Sequence, residues 1–235
     1  MKRKIRGATF AAAPFLIGSA VHAQGSSAYT APRNAVVDAS GARSVEVEAG
    51  AGSLRVEGKP GLRQVQVSGT ARASSQQFLN QIKLIAERRG DVVFIKADIP
   101  EQNWRSSYDN YSAALDLVIQ VPQGMNADIA DGSGDLKVFN VGSLEAADGS
   151  GDVNVRNVTG SFTVETDGSG SIYATDVRGS VIVQNDGSGG IEVNKVGRDF
   201  KVESKGSGSI EYTAVSGQVD IPERHRDRYR RGQER

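Results

Sequence analysis

Four aspartates, Asp131, Asp148, Asp167 and Asp186, each open an Asp-Gly-Ser-Gly tetrapeptide, and a Lys-Gly-Ser-Gly version follows at Lys205. The spacings are 17, 19, 19 and 19 residues. A row of stacked carboxylates at that interval could supply hard oxygen ligands to calcium. Alternatively, each Asp accepts hydrogen bonds from the backbone of its own corner while the glycines adopt φ > 0. The second arrangement needs no metal. Two carboxylates about 5 Å apart in water-like surroundings repel by only ~1 kcal/mol, within reach of a few turn hydrogen bonds. The spacing also differs from the calcium-binding Gly-Gly-x-Gly-x-Asp nonapeptide. The corners are therefore expected to be turn devices, with a calcium row the lesser alternative and no cofactor required. Lys205 would relieve repulsion at its end of the row.

Other chemistries have less to work with. The chain has no cysteine, and its two histidines, His22 and His225, lie near its ends. Between them, Ser-His triads, Cys nucleophiles and ordinary zinc sites are unavailable, so no catalytic residue is expected. Carboxylate pairs can still cleave glycosidic bonds, which keeps a carbohydrate-active enzyme as a minor reading. Against it, the carboxylates sit in regular turn rows with no interruption to form a cleft. The segment from Pro100 to Ser112 carries Trp104, Tyr108 and Tyr111, aromatics that could stack on sugars or a partner surface or fold back on the wall. Arg89-Gly90-Asp91 matches a cell-adhesion tripeptide but reads first as a hairpin turn between two strands.

The elements that must position these residues follow from the repeat. Val153, Val155 and Val158 recur as Ile172, Ala174 and Val177, then as Ile191, Val193 and Val196, then as Ile210, Tyr212 and Val215. Phe162 and Val164 recur as Val181 and Val183, Phe200 and Val202, and Val219 and Ile221. Alternation by two is strand periodicity. Asn154, Tyr173, Glu192 and Glu211, between the apolar positions, should face solvent. Each unit then reads strand, corner, strand, corner, and stacking the units predicts an all-β fold, a parallel β-solenoid (β-helix) with rungs of about 19 residues. A right-handed coil is the expected hand.

The N-terminal half reads as the same design, degenerate. Val45 and Val47, a Gly50-Ala51-Gly52 corner, Leu54 and Val56, then Val65 and Val67 keep the pattern. Ser74 or Ser75 could cap a short helix through Leu79 to Gln81. Ile82 to Ala86 and Val92 to Ile99 read as strands, and Leu115 opens another. One domain over 34–222 is predicted, preceded by a flexible 24–33 and followed by a disordered, Arg-rich tail, 223–235.

Residues 1–23 read as a signal peptide: Lys2, Arg3, Lys4 and Arg6, an apolar stretch with Pro14, then Val21-His22-Ala23. Its removal would leave 24 basic against 28 acidic residues, a net charge of −4. The tail holds six Arg against three acidic residues, so the body between carries about −7. That charge argues against nucleic-acid binding. The tail's arginines could contact an anionic surface.

The leader, the strands around "ERRGDVVFIKADIP" and "LDLVIQVPQGMNADIADGSGDLKV", and the Gly-Ser-Gly-Asp repeats together resemble the bacterial "putative adhesin" β-strand-repeat family, over about 34–222. The resemblance implies an exported protein of the periplasm or cell surface of a bacterium. It implies no catalytic residues. The expected function is a monomeric, non-catalytic envelope binding or adhesion-type scaffold whose partner is an envelope protein or glycan. A periplasmic accessory or stress-sensing protein contacting a membrane partner is the alternative.

Overall fold

The computed structural model describes residues 29–100 and 112–222. The expected leader, the loop aromatics Trp104, Tyr108 and Tyr111, and the Arg-rich tail lie outside the described residues. Strands are β1 (Tyr29–Asp38), β2 (Ser44–Glu48), β3 (Leu54–Lys59), β4 (Gln64–Ala73), β5 (Lys83–Arg89), β6 (Val92–Asp98) and β7 (Ala113–Pro122). They continue with β8 (Asn126–Asp131), β9 (Leu136–Phe139), β10 (Leu144–Asp148), β11 (Val153–Val158), β12 (Phe162–Ser169) and β13 (Ile172–Val177). The last are β14 (Val181–Ser188), β15 (Ile191–Val196), β16 (Phe200–Ser207), β17 (Ile210–Val215) and β18 (Val219–Asp220). Helix α1 (Gln76–Gln81) starts at Ser75, whose side chain accepts from Phe78 N at 3.2 Å.

The fold is all-β: two nine-stranded sheets, ordered β1-β4-β7-β3-β9-β11-β13-β15-β17 and β18-β16-β14-β12-β10-β8-β2-β6-β5. From β8 on, the chain alternates between them, and like strands pair in parallel and in register. Val153, Ile172, Ile191 and Ile210 form one buried ladder, and Phe162, Val181 and Phe200 form another against it. Each such side chain contributes roughly 1.5–3 kcal/mol by leaving water. The Phe200 and Tyr212 rings, 5.8 Å apart, carry this packing toward the C-terminal end.

One corner depends on left-handed backbone. Asn140, Asn157, Asp176 and Lys195 all have φ near +60°. In β11 this turns Arg156 and Asn157 outward together and returns Val158 to the core. Asn and Asp tolerate that conformation better than most residues.

The N-terminal half departs from the predicted parallel solenoid of degenerate rungs. β2 pairs in parallel with both β6 and β8, and β3 with both β7 and β9. The β2–β3 unit therefore lies between β6–β7 and β8–β9: the chain leaves the stack after β3 and returns on its far side. There the pairing turns antiparallel, β4 against β7 and β1, and β5 against β6. Connection length explains one pair. Only Gly90 and Asp91 separate β5 from β6, whereas a parallel crossover takes a dozen residues or more. β1 also begins at Tyr29, within the segment read as flexible. Its Arg33 donates to Leu79 O at 3.0 Å and Ile82 O at 2.9 Å, tying down the end of α1.

Candidate functional site

Strand alternation carries the repeat aspartates inward. In β8, Ala127, Ile129 and Asp131 share the buried face, and in β10 Leu144, Ala146 and Asp148 do. β12 needs one more step. After Phe162 and Val164, both Glu165 and Thr166 face outward, and the register with β10 shifts between Ala146 and Ala147. This bulge returns Asp167 to the interior. β14 and β16 repeat the motif and bury Asp186 and Lys205.

Asp131, Asp148, Asp167, Asp186 and Lys205 consequently stand side by side on five neighbouring strands. None is more than 6% exposed. Both carboxylate oxygens of Asp131, Asp148 and Asp167, and Oδ1 of Asp186, are buried without a hydrogen-bond partner. Lys205 Nζ donates to Asp186 Oδ2 at 2.6 Å, to Gly189 O at 2.7 Å and to Ser207 O at 2.8 Å.

The expectation that each Asp satisfies its own corner is thus corrected. The corner amides bond across the stack instead: Gly151 N to Ser169 O at 2.9 Å, Gly170 N to Ser188 O at 3.1 Å and Gly189 N to Ser207 O at 3.2 Å. The aspartates are left to the interior, where water-like screening does not apply. The sequence did hold a signal for two of them, since plain alternation from Ala127 and from Leu144 reaches Asp131 and Asp148. For Asp167 and Asp186 the bulge decides.

Burial pushes these carboxyls up, Asp131 to about 6 and Asp148 and Asp167 to about 7. The neighbouring carboxylates add to the effect at Asp148, from Asp131, and at Asp167, from Asp186 and Asp148, while Lys205 opposes it at Asp167. The Gly132 and Gly149 amides offset part of the shift at Asp131 and Asp148 without completing hydrogen bonds. A carboxyl raised in the folded state binds protons more tightly there than in the unfolded chain. Stability from this source is fully present below the ordinary carboxyl value of 3.8 and is lost progressively as pH rises from there through about 6 to 7. In chelator, the melting temperature should fall by on the order of 10 °C between pH 5 and pH 8. A flat or rising profile over that window would show that burial does not raise these carboxyls.

The other candidates separate. Arg89-Gly90-Asp91 is a hairpin turn, with Gly90 at φ 64°. The Arg89 guanidinium lies 3.4 Å from the Phe94 ring centroid and pairs with Glu87 at 2.7 Å. Trp104, Tyr108 and Tyr111 fall outside the described residues. Among the described residues no three acidic, His or Cys side chains converge on one point.

No family model matches the chain, and no curated protein matches it. Solved structures do. A putative adhesin from Bacteroides fragilis is 14% identical, with a TM-score of 0.36, covering 83% of this chain and 99% of its own. A putative cell adhesion protein from Clostridium sporogenes is 12% identical, with a TM-score of 0.34 and the same two coverages. A putative lipid binding protein from Parabacteroides distasonis is 13% identical, with a TM-score of 0.34, covering 81% of this chain and 97% of its own.

Proposed function

We propose that the chain is an exported, non-catalytic binding protein of a bacterial cell envelope, an adhesion-type scaffold built as a parallel coil of β-units from β8 on. The observation that carries this reading is the outward ladder on one sheet. Lys137, Asn154, Tyr173, Glu192 and Glu211 stand side by side across β9 to β17, with Tyr173 well exposed. Polar groups held at the strand spacing of roughly 4.8 Å form a pre-organised face that loses little entropy on binding.

The repeat carboxylates do not serve the enzyme reading. They face the interior, where a polysaccharide does not reach them. Two open depressions, one lined by Ala39, Arg43, Arg63 and Met125 and the other by Asp176, Arg178 and Lys195, do not pair carboxylates.

Protease shaving of intact cells, beside cells whose outer membrane has been opened, tests the proposal. Digestion in intact cells is expected, and cells carrying Tyr173→Ser with Glu192→Ser should then adhere severalfold less to an immobilised envelope-glycan layer. Protection until the envelope is opened would sink the adhesion role and turn the search to membrane-protein partners in the periplasm.

A further inference from the structure

The row of buried acids already contains one cation site, and the protein fills it with its own side chain. Lys205 occupies in its unit the place that Asp148 and Asp167 occupy in theirs. Its ammonium sits among an aspartate oxygen of the preceding unit, the carbonyl of that unit's second corner glycine, and the corner serine carbonyl of its own unit. The repeat places the equivalents of those groups, Asp148, Gly151 O and Ser169 O, around the approach to Asp167. Gly151 O points along the stack, since a Cβ placed on Gly170 would lie 1.8 Å from it. What differs is the fourth group. Where the last unit brings an ammonium, this one brings a second carboxylate.

Asp148 and Asp167 are 3% and 1% exposed, and all four of their oxygens lack a hydrogen-bond partner. Buried charge of this kind demands a counter-charge. Asp186 has Lys205, and Asp131, at 6% exposure, lies at the other end of the row. The central pair has neither advantage.

We infer that Asp148 and Asp167 hold one divalent cation of the calcium class inside the stack, completed by the carbonyls of Gly151 and Ser169. Two carboxylates neutralise the ion, and with the two carbonyls they offer up to six oxygens, the lower end of the range calcium takes. The strand repeat of roughly 4.8 Å puts a midway ion about 2.4 Å from each carboxylate layer, within the calcium–oxygen range and beyond that of magnesium. Magnesium also retains waters that a dry interior does not accommodate. The ion is enclosed, so it enters as the chain folds. The site is independent of what the outer face binds.

The test uses the full chain, unfolded and refolded at pH 8 in EDTA or in calcium, magnesium or potassium chloride, then dialysed against metal-free buffer. Elemental analysis should find about one calcium per chain in the calcium-refolded sample. That sample should melt at least about 10 °C above the EDTA-refolded one, while magnesium and potassium shift it by roughly 2 °C or less. Asp148→Asn combined with Asp167→Asn keeps the shape and removes the charge. It should lose the bound calcium and the thermal response, yet melt in EDTA no lower than the parent. Absence of bound calcium with equal melting in calcium and EDTA overturns the inference. An equal rise with potassium overturns the divalent assignment, and calcium retained by the double variant overturns the location.

Discussion

Replacing Lys205 with methionine is expected to lower the melting temperature, measured in EDTA at pH 8, by on the order of 10 °C. Lys205 is 1% exposed, and its ammonium makes three short hydrogen bonds, to Asp186 Oδ2, Gly189 O and Ser207 O. Methionine fills much of the same volume, so the loss isolates charge and hydrogen bonding from packing. Without the ammonium, the row consists of four carboxylates with no cation, and two carbonyls lose a donor. Removing one partner of a buried pair costs about 3–5 kcal/mol, chiefly because the other charge remains.

Two controls separate this from a general loss of fold. At pH 5 the penalty should shrink, because carboxyls raised to about 6 and 7 take up protons there and the row's charge falls. Adding Asp186→Leu to Lys205→Met should restore most of the stability at pH 8, since an apolar pair replaces an orphaned charge. An equal drop at both pH values, with no rescue, would assign the effect to packing. No drop at all would mean that the ion pair contributes nothing.

The second large effect concerns the backbone of the corner. Gly189→Ala is expected to cost more than about 4 kcal/mol, enough to leave much of the chain unfolded at 37 °C. Its φ is +136°, which L side chains rarely adopt, and an added Cβ would lie 1.5 Å from Gly170 O. That oxygen belongs to the backbone of the preceding unit, so relief requires the stack itself to open. The adjacent Gly190 provides the comparison. Its nearest neighbour to an added Cβ is Ser171 Oγ, 3.7 Å away. Gly190→Ala should therefore stay within about 1 kcal/mol of the parent. Urea midpoints for the two variants check the contrast, and similar midpoints would show that the corners do not stack this closely.

The readable and unreadable parts of this molecule divide along physical lines. Local sequence determined which residues share a face. Alternation at Val153, Val155 and their repeats gave the buried ladders, Ser75 supplied the helix cap, and Gly90-Asp91 marked the hairpin turn. These are short-range consequences of backbone period and turn chemistry. The sequence also carried, unremarked, the alternation that puts Asp131 and Asp148 on the apolar face.

Pairing partners were another matter. That β2 and β3 insert between β6–β7 and β8–β9, and that β1, β4 and β5 pair antiparallel, depends on contacts between strands far apart in the chain, which no local period encodes. The bulges that bring Asp167 and Asp186 inside depend on register with neighbouring strands, and a one-residue slip in a strand reverses every side chain after it. Only the tertiary structure could decide that the repeat aspartates leave their corners for the interior, because burial is a property of the assembled stack. The residue types and their spacing were legible from the start. The dielectric around them, which turns a weak repulsion in water into a demand for a counter-charge, was not.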